Sequence, residues 1–128
     1  MQIGTCISEP GKITKGHLFL CKYKSQNLKI PIIIAEGEEL GKTIFISAGV
    51  HGDEVNGIEI VHNFISTIDP AKLQGTIIFL PILNPWGFNQ KSRYIPFDKK
   101  DLNRCFNKKG SSISYKIANT LMKEIIKK

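Results

Sequence analysis

The hydrophobic and polar positions along the chain follow two different periods, which indicates a mixture of strands and helices. Four segments are predicted as strands because they are rich in β-branched and aromatic residues: 17–23, 28–35, 43–48 and 76–83. Polar stretches at residues 25–27 and 36–41 are the expected turns between the first three strands. The fourth segment is apolar without alternation, which is typical of a central, parallel strand that is buried on both faces.

Two further segments have the three- and four-residue spacing of an amphipathic helix. The first is predicted over residues 54–68 and ends before Pro70; its apolar positions are Val55, Ile58, Val61, Ile65 and Ile68. The second begins after a capping serine, Ser111 or Ser112, and its apolar positions are Ile113, Ile117, Leu121 and Ile125. Lysines at 127–128 suit the negative end of that helix. The order strand, helix, strand predicts a right-handed crossover and therefore an α/β fold.

Residues 84–110 show no periodicity and are punctuated by Pro85, Gly87, Pro96 and Gly110. A loop of this length inside a compact domain is usually functional. The whole chain, residues 1–128, is predicted to form one domain that is large enough to bury a core.

Composition narrows the class of protein. The net charge is +7, but its lysines are scattered, which is typical of a solvated surface. The charge could favour an anionic substrate, and we expect no nucleic-acid partner because no recognition motif is present. No apolar run is long enough to cross a membrane, and the N-terminus lacks a signal-peptide pattern. Three widely spaced cysteines predict free thiols and a cytoplasmic location.

A histidine and a carboxylate stand three residues apart where the third strand gives way to the first helix. His51 and Glu54 can converge on one point at this spacing. Imidazole nitrogen and carboxylate oxygen are half of a hydrolytic zinc site, whose usual complement is two histidines and one glutamate with an open position for water. The simpler interpretation is that Glu54 is a first-turn acid favoured by the helix dipole and His51 is a turn residue.

The long loop holds a second group of candidates. Arg93 and Arg104 are the only arginines in the sequence, whereas lysine supplies the remaining positive charge. Arginine binds carboxylates in a bidentate geometry that lysine cannot reproduce. Asn103 and Arg104 together could bind one carboxylate, and Asp101 is predicted to orient Arg104 through a salt bridge. Trp86 and Phe88, near the start of the loop, are interpreted as packing residues.

The ordered motifs H-G-D-E-V-N-G, N-P-x-G-F, a lone arginine and D-L-N-R, within residues 43–110, resemble one known family. It is the succinylglutamate desuccinylase/aspartoacylase family, zinc-dependent deacylases related to the zinc carboxypeptidases. The resemblance implies a three-layer α/β/α fold with a mostly parallel or mixed sheet, of which this chain would be the N-terminal part. It also implies hydrolysis of an amide or ester bond in an N-acyl amino acid or a similar small carboxylate substrate.

The resemblance assigns roles to individual residues and names zinc as the cofactor. His51 and Glu54 resemble the first two zinc ligands. Arg93 resembles the arginine that polarises the scissile carbonyl. Asn103 and Arg104 resemble the pair that binds the substrate carboxylate.

The third zinc ligand and the general-base glutamate of that family have no counterpart in the sequence. His62 cannot replace the ligand, because it lies about 12 Å from Glu54 along the helix axis, and His17 is expected in a core or surface role. We therefore expect an incomplete site and an exposed sheet edge open to self-association. The alternatives are a non-catalytic remnant or subunit that needs a second polypeptide, and a small basic protein that binds nucleic acid or an anionic surface.

Overall fold

The computed structural model describes residues 1–126 and shows a mixed sheet with helices on both faces. The strands are β1 (Gln2–Ile3), β2 (Cys6–Ile7), β3 (Lys12–Tyr23), β4 (Gln26–Glu36), β5 (Glu39–Ser47) and β6 (Gln74–Leu80). The α-helices are α1 (Asn56–Thr67), α2 (Pro85–Asn89) and α3 (Ile113–Leu121). Shorter helical turns are the 3₁₀ segments Pro70–Lys72 and Leu102–Arg104 and the π segment Met122–Ile126.

The main sheet has the strand order β3-β4-β6-β5. β3 and β4 form a long antiparallel hairpin, and its two-residue turn contains Lys24 at a φ of 52°. β6 pairs antiparallel with β4 on one side and parallel with β5 on the other. The predicted central position of the fourth strand and the crossover from β5 through α1 to β6 are confirmed. The predicted parallel pairing holds only toward β5, because the hairpin strand β4 runs antiparallel to β6.

Alternate residues of β6 point to opposite faces of the sheet, so the strand contributes to two cores. Ile77 and Phe79 pack with Val61 of α1. Ile78 and Leu80 belong to the larger core on the other face, which includes Ile117 of α3. These two packed faces bear out the predicted α/β class.

The structure differs from the prediction mainly in irregular segments. The small β1–β2 hairpin was not predicted, because two-residue strands carry no readable periodicity. β3, β4, β5 and β6 begin earlier than predicted, because their first residues are also paired in the sheet. β6 ends at Leu80 rather than at residue 83, where Pro81 lacks the N–H needed to continue the pairing. The loop at 84–110 contains α2 and a 3₁₀ turn, and its contacts are described below. The predicted role of the lysines at 127–128 lies outside the described residues.

β5 forms one edge of the main sheet and is exposed for most of its length. Its apolar side chains Leu40 and Ile44 are 95% and 54% exposed. On the neighbouring helix α1, Ile60 and Phe64 are also exposed. We use the name β5 edge for this strand. No helix within residues 1–126 has the length and hydropathy needed to span a membrane.

Candidate metal centre

Backbone hydrogen bonds join the segment after β5 to the segment after β6. The residues that follow the two strands therefore lie next to each other at the carboxyl end of the sheet. Leu83 N–H donates to Ala48 O at 2.9 Å, and Asn84 N–H donates to Gly49 O at 2.9 Å. Gly49 has a φ of 60°, a left-handed conformation that favours glycine. This turn directs the chain into His51 at the carboxyl end of the sheet, where open α/β sheets carry their sites.

The backbone at Gly52 lies against the start of the long loop. A Cβ atom on Gly52 would lie 2.1 Å from Gly87 C and 2.5 Å from Ser92 O. Asn84 holds this loop in place, because its side chain accepts from Gly87 N–H at 2.8 Å and donates to Tyr94 O at 3.1 Å. His51 is therefore set in a closely packed corner between α1 and α2.

His51 is 5% exposed, and both of its ring nitrogens face carboxylates. Nδ1 lies 3.1 Å from Glu54 Oε1, and Nε2 lies 2.8 Å from Asp101 Oδ1. The predicted convergence of the His51 ring and the Glu54 carboxylate is therefore present. The shorter contact, with Asp101, connects residues that are 50 positions apart in the sequence.

Arg93 connects the two carboxylates that flank His51. Its Nη1 lies 3.2 Å from Glu54 Oε1, and its Nη2 lies 3.5 Å from Asp101 Oδ2. The Arg93 side chain remains 40% exposed, so part of the guanidinium is open to solvent at the corner. Arg93 therefore lies beside His51 and Glu54.

Asp101 has different partners from the one predicted, because it pairs with His51 and Arg93 and forms no salt bridge with Arg104. It caps the 3₁₀ turn, accepting from the Asn103 backbone N–H at 2.9 Å. Sequence reasoning missed its contact with His51.

The environment of Asp101 favours its ionised form. Burial acts to raise the pKa of its carboxyl, but the hydrogen bonds from His51 and from the Asn103 backbone, with the charge of Arg93, outweigh it. The pKa of Asp101 therefore lies below its ordinary value. An ionised carboxylate at Nε2 stabilises a proton on that nitrogen and leaves Nδ1 facing Glu54.

Asn103 and Arg104 are exposed on the 3₁₀ turn that Asp101 caps. Asn103 lines an apolar cavity of about 190 Å³, together with Val50 and Phe106 among others. In the part of the chain that is described, no acidic side chain pairs with Arg104, so its guanidinium is available to a ligand. A shared carboxylate site for Asn103 and Arg104 stays a prediction.

The donors present suit part of a zinc site. A nitrogen and an oxygen bound to one tetrahedral zinc at about 2.0–2.1 Å lie roughly 3.3 Å apart, close to the 3.1 Å between His51 Nδ1 and Glu54 Oε1. Asp101 supplies the carboxylate partner that ligating histidines commonly have on their other nitrogen. Within residues 1–126, no group of three histidine, cysteine or acidic side chains could hold a metal ion. His17 and His62 are both exposed on other elements.

The aromatic residues of the loop have different environments. Trp86 packs against the main core, and its ring lies 5.5 Å from that of Phe97. The packing interpretation of Trp86 is therefore confirmed. Phe88 is 42% exposed, so its side chain is only partly packed.

Comparison with known proteins identifies related sequences. Residues 40–125 match the profile of a family described as the succinylglutamate desuccinylase/aspartoacylase catalytic domain. Over 98 residues, the chain is 30% identical to the N-alpha-acetyl-L-2,4-diaminobutyric acid deacetylase of Halomonas elongata. That match covers 76% of this chain and 28% of the relative.

Solved structures show the same architecture. The chain resembles an aspartoacylase family protein of Mesorhizobium loti with a TM-score of 0.82 and 26% identity, covering 99% of this chain and 41% of that one. It also resembles a proposed metallopeptidase of Shewanella amazonensis with a TM-score of 0.64 and 25% identity, covering 85% and 42%. The chain thus spans less than half the length of each of these relatives.

Proposed function

The chain belongs to the succinylglutamate desuccinylase/aspartoacylase family, and from this premise we propose that it supplies part of the active site of a zinc-dependent deacylase. The proposed substrate is an N-acyl amino acid or a similar small carboxylate, cleaved at its amide or ester bond. The observation that carries the proposal is the convergence of His51 Nδ1 and Glu54 Oε1, with Asp101 on the opposite ring nitrogen.

In this proposal, His51 and Glu54 hold the metal and Asp101 orients the ring. Asp101 keeps a proton on Nε2 of His51, so that the lone pair of Nδ1 faces the metal. When bound, zinc supplies a Lewis acid and lowers the pKa of water into the neutral range. The Asp101 contact fixes the angle of a nearly buried ring, which reduces the rearrangement needed on binding.

Arg93 and the pair Asn103–Arg104 would act on the substrate. Arg93 is held by two carboxylates and still exposes part of its guanidinium, so it is suited to donate to the carbonyl oxygen as negative charge develops there. Arg104 and Asn103 are exposed on the turn that Asp101 caps and would bind the substrate carboxylate. Their contacts would hold the scissile bond beside His51 and Glu54.

We further propose that the remaining zinc ligand and the general base come from a second polypeptide or a segment outside these residues. Two features support this: the described residues offer no third ligand at the corner, and the β5 edge is exposed and apolar. An unpaired edge strand readily accepts another strand. We also place the protein in the cytoplasm, which the three free thiols of Cys6, Cys21 and Cys105 support.

The proposal is tested by adding the missing groups. The purified 128-residue chain is titrated with zinc and assayed with N-acetyl and N-succinyl amino acids. The same measurements are made with a fragment of a related deacylase that carries the third histidine and the glutamate. We expect weak zinc binding and no measurable hydrolysis by the chain alone, and gain of both properties together in the mixture.

His51→Ala should abolish the gain, whereas His62→Ala is the matched control because His62 is exposed on α1. If the mixture binds zinc but never hydrolyses any N-acyl substrate, a non-catalytic remnant is the better description. Robust hydrolysis by the 128-residue chain alone, lost in His51→Ala, would refute the proposed second contributor and place the third ligand within this chain.

A further inference from the structure

Asp98 connects the long loop to the first turn of α3. Its Oδ1 accepts from the Ser114 hydroxyl at 2.6 Å, and its Oδ2 accepts from the Ser114 backbone N–H at 2.8 Å. Ser114 is fully buried. Ser114 is the second residue of α3, and the backbone N–H at this position is usually bonded by the side chain of the N-cap residue. The N-cap residue of α3, Ser112, makes no such hydrogen bond. The cap of α3 is therefore supplied by a residue 16 positions earlier in the chain.

The same carboxylate also organises the turn that precedes Asp101. Oδ1 of Asp98 accepts from the Lys100 backbone N–H at 3.3 Å. Residues 95–100 form a turn that is held by two backbone hydrogen bonds. Ile95 N–H donates to Lys100 O at 2.9 Å, and Lys99 N–H donates to Ile95 O at 2.8 Å. Asp101 is the next residue after this closed turn.

α3 is itself a firm anchor for this connection. Its residues Ile117 and Ala118 are fully buried in the main core. Thr120 adds a hydrogen bond from its hydroxyl to Leu20 O on β3 at 2.9 Å. The hydrogen bonds between Asp98 and α3 therefore also hold the loop in a fixed position relative to the sheet.

We propose that Asp98 is a positioning residue of the candidate metal centre: by fixing turn 95–100 to α3, it holds the Asp101 carboxylate against Nε2 of His51. This inference rests on the proposed function for its catalytic meaning, but the geometric claim stands without a metal. The competing explanation is that burial of Ile95 and Leu102, which flank the turn and are both fully buried, places Asp101 without help from Asp98.

The test observes the His51 ring directly in the metal-free 128-residue chain. The sequence contains three histidines, and ¹H–¹⁵N NMR distinguishes the buried His51 from the exposed His17 and His62. A ring proton that is buried and donated to a carboxylate exchanges slowly with solvent. We expect Asp98→Asn to accelerate exchange of the His51 Nε2 proton by about fivefold, the factor that corresponds to losing one hydrogen-bond contribution of about 1 kcal/mol.

Two further variants make the result specific. Ser114→Ala keeps the backbone bond to Asp98 and removes the hydroxyl, so it should produce a smaller acceleration. Asp69→Asn is the matched control, because Asp69 also caps a short turn, by accepting from Ala71 N–H at 3.1 Å, in a different part of the fold. It should leave the His51 proton unchanged.

An unchanged His51 signal in a folded Asp98→Asn chain would overturn the inference, even if the chain melts at a lower temperature. If Asp98→Asn does not fold, the Ser114→Ala variant provides the test. Unchanged exchange of the His51 Nε2 proton in Ser114→Ala would then overturn the inference. Absence of a slowly exchanging His51 proton in the unsubstituted chain would remove the contact on which the inference depends. Zinc titration of the complemented chain separately tests the proposed function.

Discussion

Gly52 should be the position in the corner around His51 that tolerates a side chain least. An added Cβ would lie 2.1 Å from Gly87 C, 2.2 Å from Phe88 N and 2.5 Å from Ser92 O. Ordinary carbon contacts are about 3.5–4.0 Å, so the backbone of α2 would have to move by more than about 1 Å. All three atoms belong to the backbone, and no side chain can rotate to relieve the overlap.

Overpacking of this kind typically costs about 1–3 kcal/mol, and rigid neighbours favour the upper end. We therefore expect Gly52→Ala to lower the free energy of unfolding by about 3 kcal/mol, which corresponds to a fall in Tm of roughly 10–15 °C for a chain of this size. Gly57→Ala is the matched control. Its Cβ would meet only the Cβ of Ala48, the residue after β5, at the ordinary contact distance of 3.6 Å, so Gly57→Ala should stabilise the fold by about 0.4–1 kcal/mol.

The assay is urea unfolding followed by tryptophan fluorescence. Trp86 is the single tryptophan of the sequence and lies in α2, beside the glycine that Gly52 approaches, so the signal reports on the corner itself. A Gly52→Ala midpoint equal to that of the unsubstituted chain, or a shift of both variants in the same direction, would refute the close-packed corner.

Three other results are expected. In the complemented enzyme, Arg104→Lys should lower kcat/KM by about ten- to a hundredfold, because lysine loses one of two charged hydrogen bonds worth about 1.5–3 kcal/mol each; near-normal activity would exclude the carboxylate role. Burial acts to raise the pKa of Asp98, but hydrogen bonds from Ser114 outweigh it and hold the pKa below its ordinary value. The ionised Asp98 carboxylate therefore stabilises the fold above about pH 4, and this effect is lost as pH falls through the lowered pKa. The urea midpoint should fall less between pH 7 and pH 3 in Asp98→Asn than in the unsubstituted chain; an equal fall would contradict this. Ile44→Lys on the β5 edge should reduce self-association in analytical ultracentrifugation, whereas Ile7→Lys, at an equally apolar exposed position on β2, should not.

The sequence predicted the regular elements and part of the corner for identifiable reasons. The apolar run of β6 indicated a buried central strand, and the spacing of His51 and Glu54 at a strand–helix boundary determined their convergence. The partner of Asp101 could not be predicted in the same way, because Arg104 is three residues away and His51 is 50. Choosing between them requires the path of the loop, and that path depends on tertiary contacts such as the bond between Asp98 and Ser114.

The strand order determines when the corner can assemble during synthesis. β5 precedes β6 in the chain, but within residues 1–126 its partner in the sheet is β6 alone. β3 and β4, joined by a two-residue turn, can pair as soon as they emerge, whereas β5 must wait for residues 74–80. Asp101 is made later still. A ribosome-bound chain stopped before residue 74 would therefore contain the hairpin and His51, but the corner around His51 would not be ordered, because non-local pairing follows local pairing.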